Sequence, residues 1–579
     1  MKASNLIAEK ISQYTDFVFS GQGGSVVHIL DSLYKRDDVK LIPSQNEQGA
    51  SLAADAYTRT SGKLGVVVTT SGPGTINALQ GLACSYYDSV PALYFSGAPV
   101  TGNIKKNTDL RQLGFQEMEI EKIVKSFSKY SIRITNVNDI IYEIEKCVYL
   151  AKSGRPGPCV IDLPDDIQRM EIKIEDQKKF IPQNDELILD LQKVDRAQKM
   201  IEQSKRPIFV IGNGVKISNS KKNIDKLLEK TNIPFAPTWA TFDMFKSDDP
   251  KNVGSFGVYA TRYGNFSIYN SDLLIILGSQ LNPSLIGSNA KFFAPNAKKI
   301  LVDIDEAQLN EENKVRIDLK INCDVKDFIN ELNKRDIKWK SNNLWFEKIK
   351  DLKKKYPIIQ EEYFRQKKSV NPYVFFDALS NYTLENDIII PDASANLVWT
   401  YQAYKVSKKQ KIFTALNHSP MGYSVAAAIG ASLGAPKSNV IAIIGDGSMQ
   451  MNIQELENIK SLKLPIKIFL INNKGYGMVK QTIDTWLDSN YVGCDENSGL
   501  SQPNFQNVCK AYGINCTEIN NHNDMKEKIE QTLNSKGPIL CDVKLDANEK
   551  IIPKTKAGSP LHKMLPELEE KEIQSNIIE

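Results

Sequence analysis

No run of apolar residues in this sequence approaches the ~20 that a membrane-spanning helix requires. The amino terminus, Met1-Lys2-Ala3-Ser4-Asn5 running into Glu9 and Lys10, lacks the apolar core of a signal peptide. The eight cysteines are scattered, without a Cys-x-x-Cys pair or the spacing of a disulfide framework, which fits a reducing cytoplasm. An excess of one charge is lacking too: 73 Lys and Arg against 69 Asp and Glu leave a formal +4. A balance so near neutral predicts no nucleic-acid partner and no acidic membrane surface. What is present is an ordinary globular composition, 41% hydrophobic and 25% charged, in a chain of 579 residues. That length is too great for one core and predicts about three domains.

Short apolar runs alternate with segments of helical period, the pattern of parallel sheets covered by helices on both faces. Leu64-Gly65-Val66-Val67-Val68 reads as a buried strand, and Ser71-Gly72-Pro73-Gly74 turns it into a helix with Ile76, Leu79 and Leu82 on one face. A middle block repeats the plan with apolar runs at 207–211, 273–277 and 300–303, and a last block with 440–444 and 466–471. Two charged stretches without a clear apolar stripe, around 171–193 and 331–368, read as linkers with some helix. The expected fold is therefore α/β, with three doubly wound parallel-sheet domains over 1–175, 190–340 and 365–550 and a carboxyl-terminal tail over 551–579. No short-period repeat is visible, which excludes a solenoid.

The sharpest local feature is Gly445-Asp446-Gly447-Ser448 after one predicted strand and Asn472-Asn473 at the end of the next, joined by one crossover helix. Both loops then meet at the carboxyl edge of the sheet, where open α/β sheets bind ligands. Asp446 can give a carboxylate oxygen and Asn473 an amide oxygen to a hard divalent cation. Diphosphate oxygens, a backbone carbonyl and water would complete the shell, which is how Mg²⁺ is commonly held. The glycines let the backbone approach phosphates, whose charge favours the helix start after Ser448. Alone, either segment would read as a tight turn or a polar loop.

Together they resemble the thiamine-diphosphate signature of acetolactate synthases, pyruvate decarboxylases and their relatives, and further matches cover most of the chain. Pro43-Ser44-Gln45-Asn46-Glu47-Gln48-Gly49-Ala50 and the following Ala53-Ala54-Asp55-Ala56-Tyr57 are similar to the family's segment around its catalytic glutamate. The resemblance makes Glu47 the carboxyl that bonds the cofactor's pyrimidine nitrogen and favours the imino tautomer, whose nitrogen can remove the thiazolium proton. Thr70-Ser71-Gly72-Pro73-Gly74-Thr75-Ile76-Asn77, Asp88-Ser89-Val90-Pro91, Gly154-Arg155-Pro156-Gly157-Pro158 and Met421-Gly422 resemble the acetolactate synthase branch in particular. In that branch the residue at the place of Met421 wedges between the cofactor's two rings.

The resemblance carries cofactor contacts onto Pro73, Asn77, Ser419, Met421, Gly447, Ser448, Tyr476, Gly477 and Met478, and metal ligation onto Asp446, Asn473 and Gly475. Ala393, Ser394, Ala395 and Asn396 also fall on diphosphate contacts, but differ from the family's usual residues, so contact there rests on backbone groups or the Asn396 amide. Gly24, Ser25, Phe115 and Gln116 fall where the family lines the reacting carbon. Glu47 and Asp446 stand in different blocks. In this family the cofactor sits between the first domain of one subunit and the third domain of another, so a homodimer is the minimum unit implied, with a homotetramer as its doubling.

The match breaks in the middle block. Acetolactate synthases bind FAD there, and an arginine in an Arg-Phe-Asp-Asp-Arg run helps hold the second substrate. The corresponding stretch here is Ser279-Gln280-Leu281-Asn282-Pro283-Ser284-Leu285-Ile286-Gly287, with no arginine and no aspartate. A tryptophan that the family places shortly after Gly-Met-Val is replaced by Thr482. The implied activity is Mg²⁺- and thiamine-diphosphate-dependent decarboxylation of a 2-oxo acid, pyruvate first, with transfer of the two-carbon fragment to a carbonyl acceptor and with FAD expected to be absent. The alternatives are a carboligase or decarboxylase that uses a keto sugar or aldehyde and, more distantly, a non-catalytic binder of the cofactor. Lys480 and Lys125 are the candidates to replace the missing arginine's charge.

Overall fold

The computed structural model describes residues 1–106, 108–183, 187–310 and 315–578. Three parallel sheets follow one another along the chain. In spatial order the first runs Lys40–Pro43, Phe17–Ser20, Gly65–Thr69, Ala92–Ala98, Pro158–Pro164 and Tyr130–Arg133. The second runs Leu319–Asn322, Lys298–Asp303, Leu273–Leu277, Pro207–Ile211 and Phe235–Pro237. The third runs Lys411–Ile412, Ile388–Pro391, Val440–Gly445, Lys467–Asn472, Ile539–Lys544 and Asn515–Ile519. The first and third sheets share one order, 2-1-3-4-6-5 when each domain's strands are counted along the chain. In such an order the winding reverses between strands 1 and 3, which opens a crevice at their carboxyl ends. Central strands such as Gly65–Thr69, Ala92–Ala98 and Leu273–Leu277 are buried at every position, as strands covered on both faces must be.

Two expectations need correction. The stretch 331–368 is not without an apolar stripe: it contains the helix Asn343–Lys355, whose Trp345, Ile349 and Leu352 are buried, at the spacing of one helical face. The lysines around them mask that face in sequence. In the helix Pro73–Tyr87, Leu82 is buried while Ile76 faces outward, so the face is narrower than its apolar residues suggest. The linker expected at 171–193 includes 184–186, which lie outside the described residues.

The first and third domains of one chain are joined by a shared core. The helix Glu47–Ser61 packs on Tyr423–Gly434 so closely that a Cβ on Gly430 would fall 1.8 Å from the Ala53 carbonyl oxygen. Inside this contact Arg59 donates to Asp55 at 2.7 Å and to Asp88 at 2.9 Å, and the Tyr423 hydroxyl donates to Asp55 at 2.6 Å. Arg59→Met leaves two buried carboxylates without their cation, and is expected to lower unfolding free energy by about 3–5 kcal/mol. Denaturant titration checks this; a loss below about 1 kcal/mol would mean that water screens the pair.

The tail returns to the central domain. Thr555 N donates to the Val258 carbonyl at 2.7 Å, Asn265 Nδ2 to the Leu561 carbonyl at 2.9 Å, and Ile578 N to Asn270 Oδ1 at 2.9 Å. Among the described residues no helix is long and apolar enough to cross a membrane.

Candidate active site

The switch point of the first sheet builds one half of the site. Strand Phe17–Ser20 delivers the loop with Gly21, Gly24 and Ser25, and strand Gly65–Thr69 delivers Thr70–Gly74 by number 70–74 and the start of the helix Pro73–Tyr87. Glu47 opens the helix Glu47–Ser61, with Asn46 as its cap: the Asn46 side chain accepts from Gln48 N at 2.8 Å. Glu47 Oε2 accepts from Asn77 Nδ2 at 3.0 Å. Its other oxygen lies between two glycines, since a Cβ on Gly21 would come within 2.5 Å of it and one on Gly74 within 3.1 Å. Any other residue at 21 would displace the carboxyl. Ser25 Oγ is 3.0 Å from Thr70 Oγ1 and accepts from Ser71 N at 2.9 Å, while Gly24 stands exposed and free of close neighbours. Pro73 and Asn77 are exposed, and Gln116 holds a left-handed φ of 59° with its carbonyl against Gly72. Phe115 is 85% exposed.

The switch point of the third sheet builds the other half. Strand Val440–Gly445 ends on Asp446, which is buried; Asp446 Oδ1 accepts from Gly447 N at 2.7 Å and Oδ2 from Gly475 N at 3.0 Å. Burial pushes this carboxyl up to about 6 against the pull of the N–H groups of Gly447, Gly475 and Lys474, and Asp542 adds to the rise. None of these influences is a cation. Asn473 is buried with its amide against Gly477, where a Cβ would come within 2.4 Å of Nδ2. The Tyr476 ring covers Gly447, leaving no room there for a side chain, and Tyr476 N donates to the Cys494 carbonyl at 2.9 Å.

Strand Ile388–Pro391 leads to Asp392, a fully buried carboxylate that sequence reasoning missed. It accepts from Ala393 N at 2.9 Å, Gly422 N at 3.1 Å and Ser424 N at 2.8 Å, and so ties the turn before the helix Ala395–Ala403 to the segment carrying Met421. Asn396 Nδ2 donates to the Ile443 carbonyl at 3.2 Å, which takes one of the amide's two N–H groups. Ser448 is buried, and Met421, Met478 and Ser419 are half-buried. Ser394, Ser419 and Lys474 join Gln116 in holding positive φ, at 75°, 49° and 58°, and such backbone strain concentrates at functional sites.

Three family models match this chain. They are the N-terminal TPP binding domain of thiamine pyrophosphate enzymes over residues 1–123, their central domain over 194–332 and their C-terminal TPP binding domain over 392–543. This chain belongs to the thiamine pyrophosphate enzyme family. Among its relatives, the acetolactate synthase large subunit of Porphyra purpurea is 33% identical over 564 residues, 95% of this chain and 92% of that protein. That of Lactococcus lactis subsp. lactis is 30% identical over 561 residues, 96% and 94% of the two chains. The chloroplastic acetolactate synthase 1 of Nicotiana tabacum is 30% identical over 582 residues, 98% and 85%.

For a thiamine pyrophosphate enzyme one feature is notable: each half of the site closes on its own domain. The neighbours of the Glu47 carboxyl, Asn77, Gly21 and Gly74, all belong to the first domain, and those of Asp446 to the third. Ser284, in the middle-domain stretch expected to face the acceptor, is exposed, with Oγ 2.6 Å from Asn282 Oδ1. Lys480 does not stand free to receive a carboxylate: its Nζ is 2.8 Å from Asp495, with both side chains largely buried. Lys125 is exposed. Thr482 occupies the helix Gly477–Trp486, and a tryptophan does stand on that helix one turn further, Trp486, 66% exposed.

Proposed function

We propose that this protein uses thiamine diphosphate and Mg²⁺ to decarboxylate pyruvate and transfer the two-carbon fragment to a carbonyl acceptor, in the manner of an acetolactate synthase. The observation that carries the reading is the pairing of Glu47 and Asp446 at equivalent switch points of two like-ordered sheets in a thiamine pyrophosphate enzyme. When bound, thiamine diphosphate supplies an electron sink next to the carbonyl of the 2-oxo acid.

The chain's own residues do the rest. Asp446 and Asn473, with the Gly475 carbonyl, would hold the cation; a buried carboxylate with no cation among the groups acting on it fits that task. The backbone of Gly447, Ser448 and Gly475–Met478 by number 475–478 comes close enough to hold a diphosphate because glycine stands at 447, 475 and 477. Met421 would support the cofactor's rings. Glu47 would bond the pyrimidine nitrogen and hold a proton there, and its own carboxyl is fixed between Gly21 and Gly74. Gly24, Ser25, Phe115 and Gln116 line the place of the reacting carbon.

A homodimer unites the two halves, with the first domain of one protomer set against the third domain of its partner, and a homotetramer doubles it. Support comes from the apolar side chains left outside on both halves, Leu113 and Phe115 on one, Trp486 and Val492 on the other. All eight cysteines are free thiols, in keeping with a cytoplasmic protein. FAD is not part of the reading because the middle-domain stretch 279–287 has no arginine and no aspartate where acetolactate synthases carry both. Purified protein is therefore expected to show no stoichiometric flavin absorbance. Product analysis tests the function. Incubation with pyruvate is expected to give acetolactate, and a product formed only when a sugar or aldehyde is added would replace the acceptor in this reading.

A further inference from the structure

One buried acid between the first and third domains is used by none of the roles above. Glu455 opens the helix Glu455–Ser461 and its side chain is fully buried. Oε2 accepts from Asn458 Nδ2 at 2.7 Å, and Asn458 Oδ1 is reached in turn by Gln45 Nε2 at 3.5 Å. Oε1 has no hydrogen-bond partner among the described residues. It lies over the first turn of the helix Glu47–Ser61, where a Cβ on Gly49 would come within 2.3 Å of it. Burial pushes this carboxyl up to about 7; the N–H groups of Asn46 and Gln45 face it and pull the other way, though both fall short of hydrogen-bond geometry.

A buried carboxyl with one unpaired oxygen is costly, and this one is held against the positive end of a helix. The residues it faces, Gln45, Asn46 and Gly49, surround Glu47 on both sides in sequence. We propose that Glu455 is a positioning residue for Glu47: from the third domain its carboxyl fixes the turn and the first helical residues that aim the Glu47 carboxyl between Gly21 and Gly74. The proposal rests on the role given to Glu47 above. It also explains the glycine at 49, since a side chain there would push the Glu455 carboxyl away.

Glu455→Gln, nearly the same size, tests it in the full-length protein. We expect turnover and the exchange rate of the thiazolium proton to fall together by about tenfold, the scale of a small misplacement of a catalytic group. KM for pyruvate and cofactor affinity should stay within about twofold, because their determinants lie elsewhere. In cofactor-free protein, amide hydrogen exchange across residues 44–50 should quicken, with little change elsewhere. In a Glu47→Gln background Glu455→Gln should add no further loss, since the group it aims is gone. An unchanged exchange rate in Glu455→Gln, or a loss of equal size in both backgrounds, would overturn the proposal. Gly49→Ala, which presses on the same carboxyl from the other helix, carries the same comparison if Glu455→Gln does not fold. If Glu47→Gln itself exchanges at the parent rate, the role of Glu47 fails; if only Glu455→Gln does, the positioning role alone fails.

Discussion

Glu47→Gln is expected to slow turnover by roughly 10²–10⁴-fold, the usual worth of general acid–base help, while the protein folds and binds its cofactor much as before. The amide is nearly isosteric with the carboxyl, and its oxygen can still accept from Asn77 Nδ2, which lies 3.0 Å away in the parent. Gly21 and Gly74 leave the same space for either group. What the amide cannot do is share an acidic proton with the pyrimidine nitrogen. In the proposed site the diphosphate would be held by third-domain residues rather than by Glu47, so the loss should fall on the proton transfer. Deuterium exchange at the thiazolium carbon reads that step directly. Exchange at the parent rate would remove Glu47 from this role, and a large loss of cofactor affinity would mean that it binds rather than activates.

The second large effect is expected at Asp446. Asp446→Asn keeps an acceptor for only one of Gly447 N and Gly475 N, whose bonds to Oδ1 and Oδ2 are 2.7 and 3.0 Å in the parent, and removes the charge. In the proposed site the cation would offset the charge of the diphosphate, so loss of one anionic ligand should weaken cofactor binding by roughly 100-fold or more. Stability of the cofactor-free protein should change little. A carboxylate buried beside Asp542 without a positive neighbour costs the empty protein folding energy; the amide relieves that cost but leaves one backbone N–H facing its NH2 group, which offsets the gain. Calorimetric titration and thermal unfolding without cofactor measure the two sides. Unchanged affinity, or a loss explained by general destabilisation, would show that Asp446 does not hold the cation.

The sequence exposes the sheets because parallel strands buried on both faces appear as unbroken apolar runs, as in 64–68 and 273–277. Short edge strands such as Lys411–Ile412 give no such signal, and the helix Asn343–Lys355 hides Trp345, Ile349 and Leu352 among lysines. Asp446 and Asn473 stand out because glycines and a paired polar loop surround them at strand ends, whereas Glu47 stands out only through the resemblance of 43–57 to the family's glutamate segment. Asp392 and Glu455 do not, since a lone acid next to a proline or at a helix start looks like any solvated carboxylate until its tertiary partners are known. Lys480 shows the converse: its sequence position suggested a free cation, and Asp495, brought alongside by the loop that pairs with Gly475, occupies it.

Release of CO₂ from pyruvate by the purified protein, followed with and without thiamine diphosphate and Mg²⁺, tests the central claim most directly. The account predicts steady release only when both are present, with acetolactate accumulating in the same mixture. No release from pyruvate in the presence of both, by protein that binds the cofactor, would contradict it.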